Sequence, residues 1–211
     1  ANSMRGAAFL TGATDALVVA VGGTSTDVGV MSRGYPRESS SPVDIGGVRT
    51  NFRMPDLVSV ALGGGTIVQR DGDGLAVGPT SVGYRIGEEA IVFGGSTTTL
   101  TDAAAWAGRA GIGDPSRLVG KDDELEEALV VADQRLADVI DAVKISKADV
   151  PLLAVGGGSI LVPDAIPGVS VVQRPENYDV ANAIGAAIAS VSGHVDRVYM
   201  HGENSREEAL R

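Results

Sequence analysis

Hydrophobic and polar positions follow two different periods along this chain. In the first 75 residues, short runs of aliphatic and β-branched residues separated by glycine-containing turns predict β-strands. Residues 28–31 and 35–38 are expected to form a hairpin through Ser32, Arg33 and Gly34. The predicted strands cover residues 16–21, 27–31, 36–43, 57–62 and 66–69.

The second half has a helical period. From Lys121 to about Ser146, apolar residues recur every three or four positions, which predicts an amphipathic helix. Shorter helices are predicted at residues 101–109 and 179–192, and strands at residues 152–155 and 169–172. Because strands alternate with helices here, we predict an α/β fold with parallel strand pairing and helices covering the sheet.

The pattern indicates a single domain over residues 1–211. Residues 44–83 are expected to be a loop-rich insertion, because the stretch is too polar and irregular for core strands throughout. The charged residues 201–211 are expected to be frayed. A core strand begins so soon after the first residue that we expect the chain to be part of a longer protein.

Composition excludes several classes of function. The net charge of −10 argues against a nucleic-acid partner, because phosphate neutralisation needs clustered lysine and arginine. The absence of cysteine excludes disulfides and thiolate chemistry. No apolar run approaches the roughly 18 residues of a membrane span, so we expect a cytoplasmic protein without a membrane partner. Glycine is unusually frequent, at 29 of 211 residues or about twice the usual share.

Two glycine-rich turns are the main candidates for ligand binding. Residues 21–27 (Val-Gly-Gly-Thr-Ser-Thr-Asp) and 155–159 (Val-Gly-Gly-Gly-Ser) each follow a predicted buried strand. Backbone N–H groups in such turns can approach a phosphate or a nucleoside, because no Cβ intervenes. The first turn adds the hydroxyls of Thr24, Ser25 and Thr26, and Asp27 could hold a metal-bound water or accept a proton. The alternatives are a polar hairpin bend for the first turn and a sharp strand-to-helix corner for the second.

Other polar features are less specific. A third glycine triplet, residues 63–65, is equally compatible with a ligand contact and with a hairpin or bulge. Arg49 and Arg53 could bind a carboxylate or phosphate bidentately, or form surface salt bridges. The sequence has neither a P-loop nor a Rossmann fingerprint. His194 and His201 fit a solvated surface, so no Ser/His/Asp triad is predicted.

Several of these segments together resemble the hydantoinase/oxoprolinase family. The similarity covers nearly the whole chain, and its most specific part is the motif at residues 45–56 (Ile-Gly-Gly-Val-Arg-Thr-Asn-Phe-Arg-Met-Pro-Asp). The glycine turns alone would indicate only the wider actin-like ATPase superfamily, which includes sugar kinases and chaperone ATPases. The other matching segments are residues 21–29, 94–95, 99–102, 156–159 and 174–176.

The resemblance implies a ribonuclease H-like (actin-like ATPase) lobe, a mixed sheet with flanking helices, in a protein that binds ATP and Mg between two lobes. Asp27 is the implied catalytic and metal-binding residue. The implied phosphate-binding residues are Gly22, Gly23, Thr24, Ser25 and Thr26, and the implied nucleoside-binding residues are Gly156, Gly157, Gly158 and Ser159. The family's first phosphate motif has no match here, which implies the N-terminal lobe of the same protein as a partner.

By resemblance, the intact protein would use ATP to activate the carbonyl of a small cyclic amide such as a hydantoin or oxoproline, so that water can open the ring. A companion subunit could supply hydrolytic residues. We expect the isolated chain to be inactive, because half of the phosphate clamp is absent.

One position departs from the family pattern. The second phosphate motif usually begins with Asp, and Ala20 stands there in this sequence. A methyl group cannot hold a magnesium-bound water, so either Asp27 takes over the metal or nucleotide turnover is impaired. The departure permits an alternative, a non-catalytic lobe that binds a nucleotide or a partner subunit. A sugar or acetate kinase is a third option, against which the motif at residues 45–56 argues.

Overall fold

A computed structural model describes residues 2–39, 44–49, 54–72 and 74–189. The helices of this part are α1 (Asn2–Thr11), α2 (Ile86–Glu89), α3 (Leu100–Trp106), α4 (Asp122–Val143) and α5 (Ala181–Ala187). The strands are β1 (Ala16–Val21), β2 (Thr26–Ser32), β3 (Tyr35–Pro36), β4 (Asp44–Ile45), β5 (Val48–Arg49), β6 (Leu57–Val60), β7 (Thr66–Asp71), β8 (Gly74–Ser81), β9 (Val150–Val155) and β10 (Val169–Gln173).

The main sheet is mixed and has the order β10-β9-β1-β2-β3, with β6 paired to the first half of β2. Strands β1, β9 and β10 are parallel neighbours, which confirms the pairing predicted for the second half of the chain. Strand β2 runs antiparallel to β1, β3 and β6. Strand β1 lies in the middle and is buried along nearly its whole length, as its uninterrupted apolar sequence requires.

Helices cover both faces of the sheet. On one face, Leu136 and Ile140 of α4 share a core with Val19 of β1 and Leu152 of β9. On the other face, α1 and α5 pack against the alternate residues of the same strands, in a core built from Met4, Ala7, Val18, Met31, Leu153 and Ala181. The alternation of side chains along each strand divides the apolar residues between these two cores.

Helix α4 confirms the helix predicted from periodicity. It has 22 residues, and its acidic first turn lies where the helix dipole favours negative charge. The buried positions follow the apolar stripe of the sequence: Leu125, Ala128, Leu129, Ala132, Leu136, Ile140 and Val143.

Helix α1 was not predicted, and it packs tightly against α5. A Cβ added at Gly6 would lie 1.8 Å from the carbonyl oxygen of Ala181, and one added at Gly185 would lie 1.9 Å from that of Asn2. The two backbones therefore touch where glycine leaves room. The helical period of α1 is hard to recognise because small residues, rather than large apolar ones, form much of this contact.

Other differences from the predicted elements are local. The strand predicted at residues 36–43 is reduced to β3, and residues 40–43 lie outside the described part. The helix predicted at residues 179–192 begins with a 3-10 turn and continues as α5, and residues beyond 189 lie outside the described part. Strand β8 was not predicted.

Residues 44–83 contain more regular structure than a loop-rich insertion suggests. The strands predicted at residues 57–62 and 66–69 are confirmed as β6 and β7. Strand β6 belongs to the main sheet, and β7 pairs with β8. The boundaries of the insertion stay a prediction, as does the frayed end at residues 201–211, which lies outside the described residues.

Among the described residues, each helix is too short or too polar to cross a membrane.

The contact between α1 and α5 makes a stability prediction. We expect Gly6→Ala to lower the free energy of unfolding of the chain by about 1–3 kcal/mol, because the added methyl group forces two helix backbones apart. Urea unfolding followed by circular dichroism measures the change. Gly87→Ala in α2 is the control, since a Cβ there meets nothing within 4 Å. Equal stability of the two variants would contradict the packing described here.

Candidate functional site

The candidate site lies at one edge of the main sheet. Ala20, near the end of β1, pairs with Val155, the last residue of β9, and a glycine turn follows each strand. The carboxyl ends of parallel strands are where open α/β sheets usually bind ligands. The fold therefore brings the two turns together although about 130 residues separate them in the sequence.

The first turn, residues 22–25, links β1 to β2. The N–H of Gly22 donates to the carbonyl of Ser25 at 2.9 Å and closes the hairpin. All four residues of the turn are exposed. The hydroxyls of Thr24 and Ser25 are thus available to a ligand, in agreement with the position predicted for them.

The third glycine turn, residues 63–65, orients the first. The N–H of Gly64 donates to the carbonyl of Gly22 at 3.0 Å, and the N–H of Gly65 donates to the carbonyl of Gly23 at 2.7 Å. The peptide bonds after Gly22 and Gly23 are trans. The N–H of Gly23 therefore points opposite to the carbonyl of Gly22, and the N–H of Thr24 points opposite to the carbonyl of Gly23. The N–H groups of Gly23 and Thr24 therefore both point away from the third turn.

These amides, which we call the amide nest, are a candidate anion-binding site. Within the described residues, the N–H groups of Gly23, Thr24 and Ser25 donate to no other group. Consecutive unpaired amides that point outward form a concavity with a positive potential, which suits a phosphate or carboxylate. The geometry supplies this property without any lysine or arginine.

The third turn needs glycine for close approach. A Cβ at Gly63 would lie 2.7 Å from both the carbonyl carbon of Gly23 and the nitrogen of Thr24. Thr101 at the start of α3 holds the turn from behind, donating its N–H and its hydroxyl to the carbonyl of Gly64, each at 2.9 Å. The triplet is therefore neither a simple hairpin nor a direct ligand contact, but a support that the sequence left open.

Asp102 fixes the helix that carries Thr101. Its buried carboxylate accepts hydrogen bonds from the N–H and hydroxyl of Thr99 and from the N–H of Val92, each at 2.7 Å. With the Thr99 side chain, it forms a capping box at the start of α3. Residues 99–102, which contribute to the family resemblance, thus hold the third turn in place.

Thr26 and Asp27 differ from their neighbours in the predicted phosphate motif. Thr26 is fully buried, and its hydroxyl donates to the carbonyl of Leu62 at 2.5 Å, so it is committed to the protein interior. Asp27 is partly exposed and accepts a hydrogen bond from the hydroxyl of Ser59 at 2.5 Å. It pairs directly with Ala20 across β1 and β2. Its carboxylate therefore lies beside the position where the family pattern has Asp.

The second turn, residues 156–158, packs against the first. A Cβ at Gly156, where φ is +88°, would lie 2.3 Å from the carbonyl oxygen of Val21. One at Gly158 would lie 2.5 Å from that of Gly22, and the N–H of Gly158 donates to Val21 at 3.0 Å. These two glycines are required by contact between the turns.

Gly157 has no such requirement. It is exposed, a Cβ there would meet nothing within 4 Å, and its φ is outside the region that favours glycine. Its N–H donates to no other described group. An open surface of bare backbone at this position suits a ligand that lies flat against the turn.

Ser159 follows this surface. It is fully buried, and its hydroxyl oxygen has no hydrogen-bond partner in the described residues. A buried polar atom without a partner is uncommon, and a ligand, a water or an ion is the usual explanation for one. Arg174 holds the next residues in place by donating to the carbonyl of Val162 and, at 2.7 Å, to Asp164.

The remaining predicted site residues are only partly described. The side chain of Arg49 and the whole of Arg53 lie outside the described residues. In the part that is described, no group of three or more histidine, aspartate or glutamate side chains is close enough to hold a metal by itself. Asp27, the predicted metal ligand, lies close to the first turn.

Residues 22–25 and Gly157 of the glycine turns are exposed. A partly open apolar cavity of about 240 Å³ lies at the opposite end of β1, where Ala16, Met31 and Pro151 are among the lining residues. The site is therefore defined by backbone geometry, and a ligand held here would be covered only on this side by the described residues.

Comparisons with known proteins agree with the predicted resemblance. A model of the hydantoinase/oxoprolinase family matches residues 1–140. The gamma subunit of acetophenone carboxylase from Aromatoleum aromaticum is 39% identical over 85 residues, which make up 39% of this chain and 12% of that protein. The recognition of the family from its motifs is confirmed.

Two solved structures share the fold. A nucleotide-free acetone carboxylase, an enzyme of ATP-dependent acetone carboxylation, aligns over 89% of this chain and 31% of its own, with a TM-score of 0.70 and 21% identity. ATP-dependent caprolactamase from Pseudomonas jessenii aligns over 87% of this chain and 31% of its own, with a TM-score of 0.67 and 23% identity. This chain thus spans less than a third of each relative. The predicted α/β class, with a mixed sheet and flanking helices, is confirmed.

The packing of the second turn predicts that substitutions at Gly158 and at Gly157 have different effects on stability. We expect Gly158→Ala to lower the free energy of unfolding by about 1–3 kcal/mol, because the methyl group collides with the carbonyl of Gly22. Gly157→Ala is the matched control, and its free energy of unfolding should lie within about 0.5 kcal/mol of the original chain. Urea unfolding of both variants tests this, and a similar loss at both positions would show that the turn is packed differently.

Proposed function

The chain belongs to the hydantoinase/oxoprolinase family, and from this premise we propose that it is the ATP-binding lobe of an ATP-dependent cyclic amide hydrolase of the hydantoinase or 5-oxoprolinase type. The observation that carries the proposal is the outward-pointing amide nest at Gly23 and Thr24. Related proteins described as ATP-dependent support the nucleotide, since both share this fold.

The residues at the turns fit ATP. Phosphate oxygens would accept hydrogen bonds from the amides of residues 23–25 and from the hydroxyls of Thr24 and Ser25. The nucleoside would lie against Gly157, where no side chain intervenes, with the hydroxyl of Ser159 beneath it. Thr26 has a supporting role, because its hydroxyl is already bonded to Leu62.

Magnesium fits the site through Asp27. Mg²⁺ usually keeps several waters and takes only one or two carboxylates in addition to phosphate oxygens. A single carboxylate beside the phosphate turn therefore suffices, and the hydrogen bond from Ser59 fixes its orientation. Asp27 would hold a metal-bound water or accept a proton there.

The described residues contribute binding and orientation to the reaction. When bound, ATP supplies the chemical activation of the amide carbonyl that allows water to open a small ring. The turns hold the phosphates in one register because their own carbonyls are fixed by Gly64 and Gly65. The substrate would lie between this open face and the N-terminal lobe of the same protein.

A companion subunit is a further proposed partner. The acetophenone carboxylase relative is by its name one subunit of an enzyme. Residues that act on the ring itself are proposed to come from the N-terminal lobe or from such a subunit, because the described face offers amides, hydroxyls and one carboxylate.

A second candidate function rests on Ala20. If Asp27 does not replace the missing carboxylate, the lobe binds a nucleotide or a partner subunit without supporting turnover. Ala20 pairs directly with Asp27, so a carboxylate lies on the strand next to the position where the family pattern has Asp. This pairing favours the catalytic proposal.

The proposed nucleotide site predicts ATP binding by the chain. We expect isothermal titration calorimetry to detect binding of ATP without turnover, and Gly157→Leu to weaken it at least about tenfold, since the side chain covers the nucleoside surface. Gly111→Leu is the matched control, because a Cβ at this exposed glycine also meets nothing within 4 Å. Failure of the original chain to bind ATP would overturn the proposal, as would equal affinities of the two variants.

The metal assignment makes a separate prediction. We expect Mg²⁺ to raise the ATP affinity of the original chain and Asp27→Asn to abolish that gain, whereas Asp123→Asn, an exposed carboxylate of α4, should preserve it. Ala20→Asp should add little if Asp27 already holds the metal. A large Mg²⁺-dependent gain in Ala20→Asp, with no effect of Asp27→Asn, would instead identify a lobe that has lost its metal site.

A further inference from the structure

A turn that was not predicted, residues 81–85, lies against the first glycine turn, at the carbonyl of Gly23 and the side chain of Thr24. The hydroxyl of Ser81 donates to the carbonyl of Gly23 at 3.2 Å and accepts from the N–H of Gly83 at 3.0 Å. Gly83 has a φ of +57°, and a Cβ on it would lie 3.6 Å from the hydroxyl oxygen of Thr24. The turn therefore lies directly against residues 23 and 24.

The backbone of this turn is rigidly held. Val82 is buried, and its N–H donates to the carbonyl of Gly65 at 2.9 Å. Its carbonyl accepts from the N–H of Arg85 at 3.2 Å. Since Gly65 also binds Gly23, one glycine fixes the position of this turn relative to the nest.

The first glycine turn thus has different neighbours at its two ends. Residues 156–158 contact Val21 and Gly22, whereas residues 81–83 contact Gly23 and Thr24. If the nucleoside lies against Gly157 and the phosphates lie over residues 23–25, the phosphate chain runs from residues 156–158 toward residues 81–83. The terminal phosphate then comes nearest to the turn at residues 81–85.

Tyr84 stands at that end. Its residue surface is 95% exposed, and its hydroxyl makes no hydrogen bond within the described residues. Exposed aromatic residues are common on protein surfaces, so the exposure alone indicates nothing. What distinguishes Tyr84 is its place on a rigid turn that contacts Gly23 and Thr24, where the neighbouring cation of Arg85 is already paired with Glu89 at 2.9 Å.

We propose that Tyr84 contacts the terminal-phosphate end of bound ATP and thereby helps the site to distinguish the triphosphate from the bare nucleoside. A tyrosine hydroxyl can donate a hydrogen bond to a phosphate oxygen. This inference rests on the proposed nucleotide site and adds a residue and a direction to it. The nucleoside end is marked by Tyr178, whose carbonyl accepts from the N–H of Gly156 at 2.7 Å.

Fluorine NMR of the chain labelled with 3-fluorotyrosine tests this. The sequence has four tyrosines, so four resonances are expected, and each is assigned with a Tyr→Phe variant. ATP should shift the resonances of Tyr84 and Tyr178, whereas adenosine should shift that of Tyr178 alone. Tyr35 on β3, at the far end of β2 from the nest, is the internal control and should not respond to either ligand.

The outcomes separate this inference from the proposed function. If neither ATP nor adenosine shifts any resonance, the nucleotide site itself is wrong and the inference falls with it. If Tyr178 responds but Tyr84 does not respond to ATP, or if Tyr84 responds equally to adenosine, the nucleotide site stands and the assigned direction is overturned.

An affinity measurement supports the spectroscopic one. We expect Tyr84→Ala to weaken ATP binding at least about tenfold, the loss of one hydrogen bond to a charged group, and to leave adenosine binding unchanged. Tyr35→Ala, at another exposed tyrosine, should change neither affinity. Equal loss of ATP and adenosine affinity in Tyr84→Ala would contradict the proposed contact.

Discussion

The candidate site depends on two backbone hydrogen bonds between glycine turns. Gly64 and Gly65 donate to the carbonyls of Gly22 and Gly23, and this turns the next two amides outward. Each bond contributes only about 1 kcal/mol to stability, but together they fix the direction of the peptide dipoles that a ligand would meet. A side chain at Gly63 would separate the turns. The high glycine content of the chain is therefore partly a requirement of turn packing, whereas Gly157 is a glycine of the site that faces open space.

The sheet makes this packing possible. Strand β1 lies between the parallel strand β9 and the antiparallel strand β2, so the turn after β1 meets the turn after β9 on one side. Strand β6, paired with β2 on the other side, delivers the turn at residues 63–65 to the same edge. Helix α3 supports that turn from behind through Thr101. Residues 21–29, 99–102 and 156–159 of the family resemblance thus converge on one small backbone assembly.

Much of this arrangement could be predicted from the sequence. Long apolar periodicity identified α4, and short β-branched runs identified β1, β2, β6, β7, β9 and β10. The glycine turns were recognised, but their different roles were not, since a glycine required by a neighbouring backbone looks the same in sequence as one that faces a ligand. Helix α1 escaped prediction because Gly6 and small neighbours form its contact. The role of Thr26 was also hidden, because only the fold shows that its hydroxyl meets Leu62.

The substitution at position 20 is best understood through strand pairing. Directly opposed residues of an antiparallel pair have Cβ atoms about 4.5–5.5 Å apart, so the carboxylate of Asp27 lies about one strand spacing from where Asp at position 20 would stand. A metal that keeps much of its water shell can tolerate such a displacement, because a water bridges the added distance. The hydrogen bond from Ser59 to one oxygen of Asp27 limits its rotation and leaves the other oxygen for that water. The substitution at position 20 is therefore compatible with the proposed metal site, because the exchange of a carboxylate between paired strands can preserve the charge beside the first glycine turn.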